Sequence, residues 1–160
     1  MASQDSSELE YVGFWLRVGA SLIDTILLLL VIVPLLFAIY GAAYWESSAL
    51  VMGPADVVIN YILPAVFVIV LWIRISATPG KLAIGAVIVD ARTGEKPSTR
   101  QFIIRYIGYY VAAIPLAIGF IWVGFDPRKQ GWHDKLAGTV VVRDLRLARG
   151  RSQPVRFQQV

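Results

Sequence analysis

Three long stretches without a charged residue constrain this chain more than any other feature. They cover residues 25–45, 57–73 and 106–125, which are 21, 17 and 20 residues long. About 20 helical residues, rising 1.5 Å each, cross the roughly 30 Å hydrocarbon core of a bilayer. Hydrophobic residues make up 57% of the chain and charged residues 16%, against about 45–50% and 25% in soluble domains. The chain is therefore predicted to be an integral membrane protein.

The residue types that are missing exclude several kinds of site. The chain has no cysteine and a single histidine, His133, which excludes disulfides, zinc–thiolate centres and a cysteine nucleophile. His133 stands beside Asp134, but no Gly-x-Ser-x-Gly motif supplies a serine nucleophile for the pair. We expect no enzyme activity, no metal site and no cofactor.

The first two apolar stretches predict a hairpin of transmembrane helices, over about 14–45 and 54–74. Aromatic residues lie near the ends of the first stretch, as is usual at the headgroup level, and Pro34 offers a place to bend. Residues 1–10 contain three acidic residues and no apolar run, so we expect a disordered tail and no signal peptide.

Lysine and arginine counts give the orientation of this hairpin. The connection 46–56 has no basic residue, and residues 74–105 have six. Basic residues are retained on the cytoplasmic side of short loops. The N-terminus and the second loop are therefore predicted to be cytoplasmic.

The third stretch, in a helix predicted over about 98–125, has two possible topologies. A single span would carry eight basic residues of the C-terminal segment outside, against the same rule. However, residues 81–90 and 135–144 resemble each other and end in valine-rich runs that are typical of strands. Pairing these two strands in the cytoplasm would require a re-entrant helical hairpin that breaks near Pro115. The fold class is thus all-α, with a possible small two-stranded β element and with both topologies open.

Asp24 is the residue of greatest chemical interest. It follows Arg17 by two helical turns, so both lie on nearly one face of the first helix together with Ser21. An ionised carboxylate at this depth costs on the order of 2.5–3.5 kcal/mol unless it is paired or hydrated. Asp24 could bind a proton or cation, or it could fix helix packing through a buried pair with Arg17 or Arg105. Asn60 in the second helix is a weaker candidate.

Several ordered blocks make the chain similar to the RDD family of small integral membrane proteins, over about residues 11–143. The matching blocks are 11–17 (YVGFWLR), 22–24 (LID), 79–82 (PGKL) with Gly85 and 89–90 (VD), and 126–141 (DPRKQGWHDKLAGTVV). Arg17, Asp24 and Asp134 correspond to the arginine and the two aspartates that name the family. Trp132 departs from the more usual aliphatic residue. The resemblance implies a multi-pass protein of the bacterial inner membrane, with transport or monovalent cation/proton exchange suggested as its activity.

Two functional hypotheses follow. The first is a secondary transporter or ion exchanger that works through Asp24, Arg17 and Asp134, as a homo-oligomer because three helices cannot enclose an aqueous path. Ser21, Asn60, Arg105 and His133 are the possible supporting residues.

The second hypothesis is a membrane scaffold or accessory subunit whose basic cytoplasmic face binds a partner or anionic lipid. The net charge of +4 and the basic tail 144–160 indicate a membrane surface rather than nucleic acid. In either case we expect Arg17 and Asp134 to pair, and so to join the first helix to the returning chain.

Overall fold

The computed structural model describes residues 9–144, which form a pair of long apolar helices and a polar end built on a small sheet. The predicted tail 144–160 lies outside the described residues except for Asp144, the last residue of a strand.

Helix α1 runs over Phe14–Tyr40 and is long and apolar enough to cross a membrane. It contains Pro34, where a bend was expected, and ends at Gly41, whose φ of 63° lies in the left-handed region. That conformation stops the helix, so the helix predicted to residue 45 is wrong in its last turn. A separate short helix, α2, follows over Ala43–Glu46.

A second helix of the same kind covers Pro54–Ile75, close to the prediction of 54–74. It consists of α3 (Pro54–Val57), a π-helical turn (Val58–Ile62) and α4 (Leu63–Ile75). It packs against α1 through Ile32, Leu36 and Ile59, and most of the remaining apolar side chains of both helices face outward. Such helices are apolar nearly all round, as a lipid environment requires.

The third apolar segment is sharply bent. Helix α6 (Thr99–Ala113) begins with a capping box formed by Ser98 and Gln101. After a break at residues 114–117, helix α7 (Ile118–Ile121) and a 3₁₀ turn (Trp122–Gly124) leave at 114° to α6. Leu116 and Ala117 have positive φ at the break. The continuous helix predicted over 98–125 is therefore wrong, and the break expected near Pro115 is present.

Three strands form the sheet, in the order β1-β3-β2. The predicted pair is present as β2 (Ala86–Asp90) antiparallel to β3 (Thr139–Asp144). Strand β1 (Leu9–Tyr11) was missed: it pairs with the other edge of β3. The disordered tail predicted over 1–10 is thus wrong at its last two residues, and the all-α class is corrected by a three-stranded sheet.

The sheet packs on the helices through one buried cluster. Trp72 near the end of α4 and Phe102 in α6 contact Val12, Ile88 and Val141. Two short helices complete this end, α5 (Pro79–Ala83) before β2 and α8 (Trp132–Ala137) before β3. Because β2 leads into the bent segment and β3 follows it, the sheet joins both ends of that segment on one side of the molecule.

Candidate functional site

Asp134, in the first turn of α8, is the centre of a buried ionic cluster. Its Oδ2 accepts hydrogen bonds from Arg17 Nη1 at 2.6 Å and from the backbone N–H of Gly131 at 3.0 Å. Its Oδ1 accepts from Nη1 of Arg105. Asp134 and Arg105 are fully buried. One carboxylate thus joins α1, α6 and α8.

Arg17 uses the rest of its guanidinium to hold backbone. Its Nε donates to the carbonyl of Val12 at 2.9 Å and its Nη2 to the carbonyl of Lys129 at 2.6 Å. Lys129 has a φ of 52°, a left-handed conformation that is uncommon for a residue with a side chain. The ion pair expected from sequence between Arg17 and Asp134 is present, and it also fixes the loop before α8.

Arg105 makes the third contact of this cluster from the interior of α6. Besides Asp134, its Nη1 donates to the Thr139 hydroxyl at 2.7 Å. Its guanidinium carbon lies 5.4 Å from the ring centre of Trp72 and 5.8 Å from that of Tyr109, which is cation–π distance. Arg105 therefore couples the bent segment to the sheet and to α4.

Charge interactions around Asp134 perturb the titration of two groups. Burial opposes the ionisation of Asp134, but Arg105 and Arg17 outweigh it and hold the pKa of this carboxyl below its ordinary value. His133 Nε2 lies 3.4 Å from Asp134 Oδ2. Burial, aided by the positive charges of Arg105, Arg17 and Lys81, lowers the pKa of His133 to about 3 despite that carboxylate. Asp134 is thus ionised and His133 neutral at physiological pH.

Asp24 lies apart from this ionic cluster, and its carboxylate binds α5. Its Oδ2 accepts from the Thr78 hydroxyl at 2.5 Å and its Oδ1 from the backbone N–H of Gly80 at 2.6 Å. In residues 9–144 it forms no ion pair, so the pair with Arg17 or Arg105 considered from sequence is wrong. Asp24 is half-buried and satisfies the N-terminus of a helix that is distant in sequence.

Glycine is required where α5 meets α1. A Cβ on Gly80 would lie 2.0 Å from the carbonyl oxygen of Ala20 and 2.9 Å from Cγ of Asp24. The Ala20 carbonyl could yield to such a contact only by a shift of backbone. The glycine at position 80 therefore allows the close approach on which the Asp24 hydrogen bonds depend.

Lys81 extends this second group of polar residues inward. It is nine-tenths buried, and its ammonium is 3.5 Å from Oγ1 of Thr78. The Thr78 hydroxyl thus lies between the carboxylate of Asp24 and the ammonium of Lys81. Sequence reasoning missed Thr78 and Lys81. The available signal was an intramembrane carboxylate without a partner, together with a Thr-Pro-Gly helix start.

The other predicted supporting residues do not join Asp24. Asn60 donates to the carboxylate of Asp56 and to the Tyr44 hydroxyl, and Asp56 also accepts from Tyr44 and from the backbone N–H of Met52. This group contacts Tyr40 at the end of α1, about 34 Å along the helix from Arg17 at 1.5 Å per residue. Ser21 is exposed on α1.

Comparisons with known proteins find a family and several relatives. Residues 11–138 match the model of the RDD family. A protein of Rickettsia prowazekii described as the uncharacterized protein RP437 is 33% identical over 84 residues, which cover 52% of this chain and 46% of that protein. Two uncharacterized proteins of Bacillus subtilis match more of their length. YteJ, described as a membrane protein, is 29% identical in a match that covers 84% of this chain and 82% of YteJ. YxaI is 28% identical in a match that covers 81% of this chain and 95% of YxaI. No solved structure matches.

Proposed function

Because the chain belongs to the RDD family of membrane proteins, we propose that it exchanges a monovalent cation for a proton across the bacterial inner membrane, with Asp24 as the coupling carboxylate. It acts without enzymatic turnover, as a multi-pass protein with its N-terminus in the cytoplasm. Since the described helices are too few to enclose an aqueous path, we propose that it works as a homo-oligomer.

One observation carries this proposal: Asp24 is a half-buried carboxylate within a candidate spanning helix, and its two hydrogen-bond donors are both uncharged. Each oxygen accepts one hydrogen bond and keeps a further lone pair. A carboxylate that is not committed to an arginine can alternate between a bound proton and a bound cation.

The remaining named residues support this site rather than take the ion. Asp134 is shared between two arginines and a backbone N–H, so a cation would have to displace two buried guanidinium groups. Removing one partner of a buried pair costs roughly 3–5 kcal/mol. Arg17, Arg105 and Asp134 therefore form the fixed frame, and Asp24 is the group free to exchange.

Thr78 and Lys81 give Asp24 a defined response to its ligand. The Thr78 hydroxyl donates to ionised Asp24 and, on rotation, can accept from a protonated one. Lys81 places a positive charge 3.5 Å from the Thr78 hydroxyl, and this charge repels a cation bound at Asp24. The repulsion keeps the cation weakly bound, as turnover requires.

The test is cation-driven proton flux in proteoliposomes that contain the full-length protein or Asp24→Asn. Asparagine keeps an acceptor for the Gly80 N–H and an amide for the Thr78 oxygen, so the contact with α5 survives. We expect flux in the wild type and a loss of at least 100-fold in Asp24→Asn. Asp56→Asn, a change to the buried carboxylate at the opposite end of the helices, serves as the matched control and retains flux.

The same contacts of Asp24 also support the scaffold hypothesis. Asp24 completes the N-terminus of α5 and so helps fix α5 against α1, a role that needs no ionisation. Under this alternative, wild type and Asp24→Asn are equally well folded and neither carries flux. The basic cytoplasmic face is then the surface that binds a protein or anionic lipid.

A further inference from the structure

We propose that the interior between α4, α5, α6 and α8 binds one small oxyanion, of the carboxylate or phosphate type, through Arg105 and Lys81. This anion site shares Lys81 with the exchange site proposed for Asp24, but it binds a different ligand. It concerns the buried nitrogen atoms that the Asp134 cluster does not use.

The unused edge of Arg105 is the main observation. Nη1 of Arg105 is occupied by Asp134 and Thr139, but Nε and Nη2 are buried and form no hydrogen bond of ordinary geometry with residues 9–144. Nε and Nη2 form the side-on edge of a guanidinium, which donates two parallel hydrogen bonds to the two oxygens of a carboxylate or phosphate. Two such donors left unsatisfied in the interior destabilise the fold, and an acceptor that binds them removes that cost.

One neighbouring side chain also has a buried donor without an acceptor. Within residues 9–144, Nε1 of Trp72 has no hydrogen-bond partner. Trp72 packs on the ring of Tyr109 at a centroid distance of 5.6 Å, and Tyr109 lies beside Arg105. The unused N–H of Trp72 therefore lies in the same cluster as the unused edge of Arg105.

The charged groups of this region leave a net positive charge, which also favours an anion. Arg17, Arg105 and Lys81 are three positive groups, and Asp24 and Asp134 are the two carboxylates that face them; His133 is neutral because its pKa is about 3. Lys81 is nine-tenths buried, and its ammonium has one hydrogen bond, of 3.5 Å, to Thr78. One buried positive charge is left over, and a single anion neutralises it.

The same contacts define the class of ligand. Two parallel N–H donors select a group with two oxygens on one centre rather than a halide. Because Arg105 is fully buried and Lys81 nearly so, the ligand is a free solute and not the headgroup of a lipid that remains in the bilayer.

The test measures anion binding directly on the full-length protein purified in a neutral detergent. Sodium phosphate and sodium acetate are titrated against sodium chloride at constant sodium concentration and ionic strength, with equilibrium dialysis of radiolabelled phosphate or acetate and thermal unfolding as readouts. We expect saturable binding of one equivalent of phosphate or acetate, with a rise in the unfolding midpoint that chloride does not produce.

Variants separate the site from general charge effects. Lys81→Gln and Trp72→Phe leave the contacts of Asp134 in place. Lys81→Gln should weaken binding about tenfold or more, and Trp72→Phe should weaken it by a few-fold. Arg105→Lys keeps the charge but removes the side-on edge, and should abolish binding. Arg100→Gln, an exposed residue one turn earlier on α6, is the matched control and should bind as the wild type does.

Three results would overturn the proposal. The first is stabilisation by chloride equal to that by phosphate and acetate. The second is binding that is unchanged in folded Lys81→Gln and Trp72→Phe. The third is stabilisation by phosphatidylglycerol in nanodiscs, relative to phosphatidylcholine alone, with no binding of either free anion. None of these readouts depends on ion flux, so a failure here is distinct from a failure of the exchange proposal.

Discussion

His133 is a neutral histidine enclosed by positive charge and aromatic rings. It packs between Tyr109 and Phe120, at centroid distances of 4.5 and 5.2 Å, and Arg105, Arg17 and Lys81 act on it together with Asp134. Its pKa of about 3 lies far below the value of about 6.5 in an unfolded chain. The pair His133-Asp134, which in sequence suggests acid–base chemistry, is in the fold a neutral ring beside a committed carboxylate.

This depressed pKa predicts a loss of stability in mild acid. Below pH 6.5 the unfolded chain takes up a proton on His133 that the folded chain does not accept until about pH 3, so folding stability falls by at most about 1.4 kcal/mol per pH unit across that window. His133→Phe, which fits between the two rings, should flatten the pH dependence. Thermal unfolding in detergent between pH 7.5 and 4.5 measures this pH dependence of folding stability in both proteins.

The contribution of Asp134 to stability does not change within the measured range of pH 7.5 to 4.5. The pKa of Asp134 is lowered in the fold, so its stabilisation is complete above about 3.8 and is lost only in stronger acid. As His133 is the one histidine in the chain, equal slopes for the wild type and His133→Phe would show that this ring does not titrate as described.

Sequence reasoning reached part of this chemistry. The pairing of Arg17 with Asp134 follows from motif and topology, because both are predicted at the cytoplasmic end of the helices. The hydrogen bond from Arg105 to the same carboxylate could not be predicted in this way. The hydrogen bonds of Asp24 with Thr78 and Gly80 could not be predicted either. These contacts join residues that are 29, 54 and 56 positions apart, and helical periodicity carries no information across such separations.

At the scale of elements, the contact between α1 and α5 depends on backbone approaching backbone. Gly80→Ala should separate these helices, since a methyl group has no space beside the Ala20 carbonyl. We expect a destabilisation of at least about 1–3 kcal/mol, as for an overpacked core, together with loss of any function that Asp24 has.

Gly19→Ala is the matched control for this change. A Cβ at Gly19, on α1 next to Ala20, meets no atom within 4 Å, so the variant should unfold at the wild-type midpoint or slightly higher. Thermal unfolding of the two purified variants decides the matter. Equal midpoints would mean that α5 does not pack against α1 in this way.

Elements were predictable where a local signal marks them. The two valine-rich strands were found because residues adjacent in sequence encode them. The break after Ala113 belongs to one of the two topologies that the sequence left open, the one supported by charge topology and Pro115. Strand β1 was missed, because its three residues have no pattern of their own and form a strand only by pairing with β3.

At the scale of the whole molecule, the sheet holds both ends of the bent segment on one side of the molecule, and we therefore expect both ends on one side of the membrane. Cysteine replacements at Thr93, before α6, and at Arg128, after α7, should therefore react with an impermeant maleimide from the same side. A cysteine at Ser48, in the loop between the two long helices, should react from the opposite side. The natural chain has no cysteine, so each label reports one position.

Labelling of Arg128→Cys from the same side as Ser48→Cys would contradict the re-entrant arrangement and favour a third full span. Leu116→Cys, at the exposed tip of the bend, adds a check on depth. It should stay unlabelled from both sides if the tip lies in hydrocarbon.

The central position of β3 has a consequence for how the molecule is made. Ribosomal synthesis delivers β1, both long helices and β2 before β3 exists, yet β3 is the strand with which β1 and β2 both pair. Asp134, the partner of Arg17, is likewise synthesised 117 residues after it. The nascent chain must therefore enter the bilayer with its polar end unassembled, and that end closes only once residue 144 has left the ribosomal exit tunnel. A quality-control protease that recognises unpaired strands can cleave the chain during that interval.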